Sequence, residues 1–226
     1  MRKRKGRSLT EDVYEQLRAD VLHGKLGAGE RLLLDVLARD YGVSLGVVRE
    51  AVTRLASERL VDAVPQAGFR VRLASPEHLA DLTWARCHVE RVTVSSSVEH
   101  GDTGWEGELV AAHHVLAVTD MLGPDGSANP DWMDAHRRFH TVLASACPNA
   151  TMQVVRQQLF DEAELYRHLS GRRGIELPTV AVEHRDLLDA ALEHDAERAA
   201  DLIQAHLEST AQRIEFSSPV ANDADG

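Results

Sequence analysis

The chain has 226 residues with 25 Lys+Arg, 36 Asp+Glu and a formal net charge of −11; 43% of it is hydrophobic and only 4% aromatic. That length accommodates two modest domains with a core in each, and the bias toward Ala, Leu, Val, Glu and Arg favours helices. No run approaches ~18 consecutive apolar residues, which excludes a membrane-spanning helix, and the isolated Cys87 and Cys147, with no CxxC pair, read as small core residues in a reducing cytoplasm.

The charge is divided unevenly. Residues 1–75 hold 14 Lys+Arg against 10 Asp+Glu, a net of +4, whereas the remainder holds 11 against 26, a net of −15. A basic segment attracts phosphates, and an acidic companion keeps the protein soluble and discourages nonspecific adhesion to nucleic acid. The opening run MRKRKGR lacks a following apolar segment, so residues 1–9 read as a flexible basic arm rather than a targeting peptide.

Thr10 is expected to cap a first helix whose apolar face is Val13, Leu17, Val21 and Leu22, ending at His23–Gly24. After the Gly-rich turn Lys25–Glu30, Leu33, Leu34, Leu37 and Tyr41 recur at helical spacing, and Gly42 supplies the positive φ of a helix end. Ser44 then caps a helix with Val47, Val48, Ala51, Val52 and Leu55 inward and Arg49, Thr53 and Arg54 outward. VDAVPQAGFRVR alternates around Gln66–Ala67–Gly68 as a small hairpin. Together these make a winged helix-turn-helix over residues 10–74, a unit that lays its second helix in the major groove of double-stranded DNA and its wing on the backbone.

VYEQLRADVLHGKLGAGERL, LARDYGVSLGVVREAVTRLASERLV and GFRV resemble, in that order, the DNA-binding domain of GntR-superfamily bacterial regulators. The resemblance implies that Ser44, Leu45, Gly46, Arg49, Thr53 and Arg54 on the reading helix, with Gly68 in the wing, face DNA. The sequence departs from the family at Asp35 and Leu45, where arginines are usual; losing two guanidiniums removes contacts to base or phosphate, which implies either an operator unlike the family's or weaker binding.

Ser75–Pro76–Glu77 is a helix start and the domain boundary. Beyond it the pattern predicts helices over about 77–100, 105–122, 130–146, 149–171, 178–193 and 196–214, separated by Gly, Pro and Asn signals, and a polar disordered tail over 217–226. Six helices with short connections make an antiparallel bundle spanning residues 75–216. The fold class is therefore mainly α, a winged helix-turn-helix followed by an all-α bundle.

Of 12 histidines, His136 and His140 share one helix face at a spacing of four residues, a metal-ligand geometry. His184 lies near the start of the fifth bundle helix and His206 near the end of the sixth, which antiparallel packing brings to one level. The stretch from His136 to Leu143 and EHRDLLDAALEHDAERAADLIQAHLE resemble the FadR-like FCD domain, in its six-helix, VanR-like form. The resemblance implies His140, His184 and His206 as ligands of a divalent metal, with His136 where an aspartate is usual, and a small carboxylate effector whose far end is clamped by Arg86. Four neutral imidazoles leave a +2 ion uncompensated and favour Zn²⁺, or Ni²⁺, over Mn²⁺ or Mg²⁺. Arg86 also stands four residues before Glu90, the spacing of an internal salt bridge.

The sequence thus predicts a homodimeric, metal-dependent transcription regulator, most simply a repressor. Two alternatives remain at this stage. One is a metalloenzyme with an appended DNA-binding domain, which the absence of HExxH context and of a Ser-His-Asp set disfavours. The other is a regulator whose metal is purely structural.

Overall fold

The structure, a computed structural model, describes residues 8–73, 75–124, 126, 128–169 and 177–214. The basic arm, the polar tail and the Gly171–Gly174 connection expected from the sequence lie outside the described residues or at their margin. Among the described residues no helix is long and apolar enough to cross a membrane.

The N-terminal unit runs α1 (Leu9–Leu22), β1 (Arg31–Leu32), α2 (Leu34–Asp40), α3 (Leu45–Ser57), β2 (Val61–Val64) and β3 (Gly68–Val71). Its core gathers Val13, Tyr14, Leu17, Val21, Leu37, Val48, Ala51, Val52, Leu55, Leu60, Val61 and Val71. These are the inward positions of the amphipathic pattern, so burial of one stripe per helix fixes how α1, α2 and α3 pack.

Three details differ from expectation. Helix α1 is capped by Ser8, whose Oγ accepts from the Glu11 amide at 3.1 Å, and Thr10 lies inside the first turn. Leu33 is the N-cap of α2 and 48% exposed instead of buried. The wing hairpin is joined by β1 into an antiparallel sheet of order β1-β3-β2, with Leu32 opposite Phe69 and Val61 opposite Val71. Gly42 adopts the positive φ foreseen for it, +65°, and Gly68, in the expected hairpin turn, also lies in the left-handed region at +87°.

The C-terminal unit comprises α4 (Pro76–His100), α5 (Thr103–Val118), α6 (Pro130–Leu143), α7 (Ala150–Leu169), α8 (Leu177–Leu192) and α9 (Ala196–Gln212). Ser75 caps α4 with Pro76 in the first turn, as the sequence signals. Helix α5 stops at Val118, earlier than expected, because Thr119 turns into extended backbone with φ −94° and ψ 127°. Helix α4 packs along α9 and α7, α5 along α6 and α8, and α8 along α9. Trp105, Leu109, Phe139, Leu143, Leu187 and Ile203 fill the centre.

Candidate metal centre and DNA-reading face

Helix α3 presents an exposed face. Ser44 caps it, its Oγ accepting from the Val47 amide at 3.4 Å, which satisfies one of the amides a helix start leaves over. Leu45, Gly46, Arg49 and Thr53 are exposed along this face, and Thr53 donates its hydroxyl to the Arg49 carbonyl at 2.7 Å. Arg54 is exposed too, yet its guanidinium is drawn back onto α1: it pairs with Glu11 at 2.9 Å and Glu58 at 3.5 Å and lies 3.6 Å from the centre of the Tyr14 ring. Gly68 opens β3 at the wing tip. Asp35 lies beside Arg39 on exposed α2, 3.9 Å away.

The histidines converge in the bundle. Helix α6 buries a stripe that includes Trp132, Ala135, His136, Phe139, His140 and Leu143, so the four-residue spacing turns both imidazoles inward. Helix α8 contributes His184 and α9 contributes His206, and all four histidines are at most 3% exposed. One ring nitrogen from each lies within 4.8 Å of the others. The Nε2 atoms of His136 and His140 are 3.0 Å apart, and those of His140 and His184 are 3.2 Å apart. Those separations approach the ~3.3 Å edge of a tetrahedron built on zinc–nitrogen bonds of about 2.0–2.1 Å.

The outer nitrogens are held. His184 donates Nδ1–H to the Val180 carbonyl at 2.7 Å, and His206 donates Nδ1–H to Glu183 at 2.7 Å. Such bonds fix the tautomer with Nε2 basic, the arrangement that supports metal ligands. Burial would raise the Glu183 carboxyl, but hydrogen bonds from His206 and Arg213 and their charges hold it down to about 2. Glu183, adjacent to His184 in sequence and directed elsewhere, therefore orients the fourth histidine.

Beside the cluster lies a second buried polar group, whose member Arg156 the sequence did not disclose. Arg156 on α7 donates Nε–H to Glu90 at 2.8 Å and an Nη–H to the His140 carbonyl at 2.6 Å. Arg86 reaches the other oxygen of Glu90 at 3.5 Å, so the internal salt bridge expected from its spacing is present. Two guanidiniums thus share one carboxylate. Both lie near the Phe160 ring, at 5.3 Å for Arg86 and 5.6 Å for Arg156, and Phe160 in turn lies against His136 and His140. Trp132 stacks on His136, and Phe139 stands edge-on to His140 and His184, sealing the walls.

A winged helix-turn-helix whose reading helix faces outward, carried on a helical domain with a buried polar centre, defines a DNA-binding transcription regulator. Residues 9–71 match the gntR family of bacterial regulatory proteins and residues 81–209 match the FCD domain, and the chain belongs to the GntR family with an FCD C-terminal domain. It is 38% identical to the HTH-type transcriptional regulator BphR of Paraburkholderia xenovorans (strain LB400) over 90% of this chain and 84% of that one. It is 32% identical to the HTH-type transcriptional repressor GlaR of Escherichia coli (strain K12), over 87% of this chain and 91% of that one. Its fold is that of Escherichia coli McbR/YncC, with a TM-score of 0.80 at 21% identity over 92% of this chain and 97% of that one. These relatives are transcription regulators, not enzymes, which removes the metalloenzyme alternative.

Proposed function

We propose that the chain is a repressor whose operator binding is controlled by a small carboxylate bound next to a divalent metal, zinc or nickel, in the bundle. The observation that carries this reading is the buried four-histidine cluster lying against the Arg86–Glu90–Arg156 group. His136, His140, His184 and His206 would hold the ion, which supplies positive charge to an anionic ligand. Arg86 and Arg156 supply a second positive end in a site of low dielectric, where charge-assisted hydrogen bonds are strong. Repression is supported by similarity to GlaR, which is named a repressor.

The DNA face in this reading is Ser44, Leu45, Gly46, Arg49 and Thr53 with Gly68 at the wing. Arg54 contributes by bracing α3 on α1 through Glu11 and Tyr14. A second copy of the chain completes a two-fold operator reader. Helix α5 supports this, because Val110, Val115 and Val118 are 44%, 53% and 67% exposed on the side away from its buried Trp105, Leu109, Ala112 and Leu116. Next to it α8 exposes Arg185 and Asp189, opposite charges that a two-fold partner pairs reciprocally.

The test is to select DNA from a random pool with the zinc-loaded protein and titrate that fragment. Arg49→Ala should weaken specific binding by about 1–3 kcal/mol, and small mono- and dicarboxylates should release the wild type from DNA only when metal is present. Release that is independent of metal would refute the site; metal binding without any carboxylate response would favour the structural-metal reading, since four histidines can close a tetrahedral shell by themselves.

A further inference from the structure

The reading head is fastened to the bundle through two consecutive acids on α7. Asp161 and Glu162 are 6% and 3% exposed, and each is shared between the head and the bundle. Asp161 bonds Arg18 of α1 through one carboxylate oxygen and Arg137 of α6 through the other, and Gln157 donates to it at 2.8 Å. Glu162 accepts from Arg72, just after β3, at 2.7 Å and lies 3.1 Å from His78 Nε2 on α4. Arg72 also pairs with Asp62 on β2 at 2.9 Å, and Arg18 reaches Glu58 at 3.8 Å, so both arginines are anchored within the head.

On their bundle side the same acids adjoin the histidine centre. Phe160, the preceding residue, lies against His136 and His140 and beneath Arg86 and Arg156. Arg137, which holds Asp161, directly follows His136 and lies 5.1 Å from the same Phe160 ring. A shift of His136 or Phe160 on ligand binding is therefore passed to Asp161 and Glu162, through Arg137 for the first and through the α7 backbone for both, and so to the Arg18 and Arg72 side chains they hold. Buried ion pairs respond sharply, because separating one leaves desolvated charges without compensation.

We propose that Asp161 and Glu162 are the coupling element through which occupancy of the bundle site sets the position of the reading head; this rests on the metal and effector reading above. The two acids are positioning residues, since they touch neither the ion nor DNA. Coupling requires that the ligand favour one of two head arrangements over the other.

The probe is zinc itself. Full-length wild type, the double variant Asp161→Asn/Glu162→Gln and the head-side variant Arg18→Gln are each titrated with zinc, and their affinity for the selected DNA is measured with zinc and after chelation. Wild type should show a zinc-dependent change of about fivefold or more, the lower end of ordinary allosteric couplings. The double variant should bind zinc as wild type does, which also certifies its bundle, yet show a ratio near unity. Arg18→Gln should lower the ratio through the Asp161 contact alone. A merely structural role would shift affinity equally with and without zinc and leave the ratio unchanged. Zinc bound with the full ratio retained in the double variant overturns the coupling proposal by itself; no zinc bound by wild type overturns it together with the reading it rests on.

Discussion

The two halves of the molecule use charge in opposite ways. In the head the core is free of charged side chains and the arginines stand at the surface or at its edge, as Arg49 and Arg54 do. In the bundle Arg86, Glu90, Arg156, Asp161, Glu162 and four histidines are all buried. Charge is expensive to desolvate and rarely improves stability over a well-packed apolar alternative. Its concentration in the bundle is what the proposed metal and effector site rests on, whereas in the head the exposed face of α3 is what the DNA-binding role rests on.

The comparison can be broken most forcefully at Glu90. Glu90→Gln leaves two buried guanidiniums around a neutral amide, so it should lower bundle stability by about 3–5 kcal/mol, as breaking a buried pair does. Urea unfolding followed by circular dichroism checks this, with Arg198→Ala as the contrasting case: its exposed pair with Glu193 should be worth no more than about 1 kcal/mol. Arg49→Ala should cost about 1–3 kcal/mol of DNA binding while leaving the unfolding midpoint unchanged, since its side chain is exposed. Asp102→Ala removes the cap of α5, whose carboxylate accepts from the Trp105 amide at 2.9 Å, and should cost about 1 kcal/mol without altering metal content.

The smallest effect is at His194. Its hydrogen bond to Glu106, with a second to the Val98 carbonyl, raises its pKa above the ordinary 6.5. A raised histidine contributes stability that is fully present below the unfolded value and is lost as pH rises through the folded value. The difference in unfolding midpoint between wild type and His194→Gln should therefore be present at acid pH and vanish above that window. A difference that grew with pH would contradict the assignment.

Where information is local, the sequence anticipated the structure. Helix stripes, the Ser44 and Ser75–Pro76 starts, the Gly42 and Gly68 turns and the inward spacing of His136 and His140 each follow from residues within a turn or two. His184 and His206 came from family resemblance joined to antiparallel packing, and the fold brings them to the same point. What escaped was non-local. Strand β1 is two residues long, too short to show alternation, and exists because β3 offers it an edge. QQLFDEAE reads as a solvated helix face until Arg18 and Arg72 arrive from the head to bury Asp161 and Glu162. Arg54 points outward on a helical wheel, and only the packing of α1 across α3 supplies Tyr14 and Glu11 to hold it.

The most direct test of the central claim is the metal content of chelator-stripped protein after titration with zinc, run beside His184→Ala. The account predicts about one zinc per chain with four nitrogen ligands and no sulfur in its X-ray absorption spectrum, and a loss of that binding in the variant. Wild type that takes up no zinc or nickel, or a variant that binds as well as wild type, would contradict it.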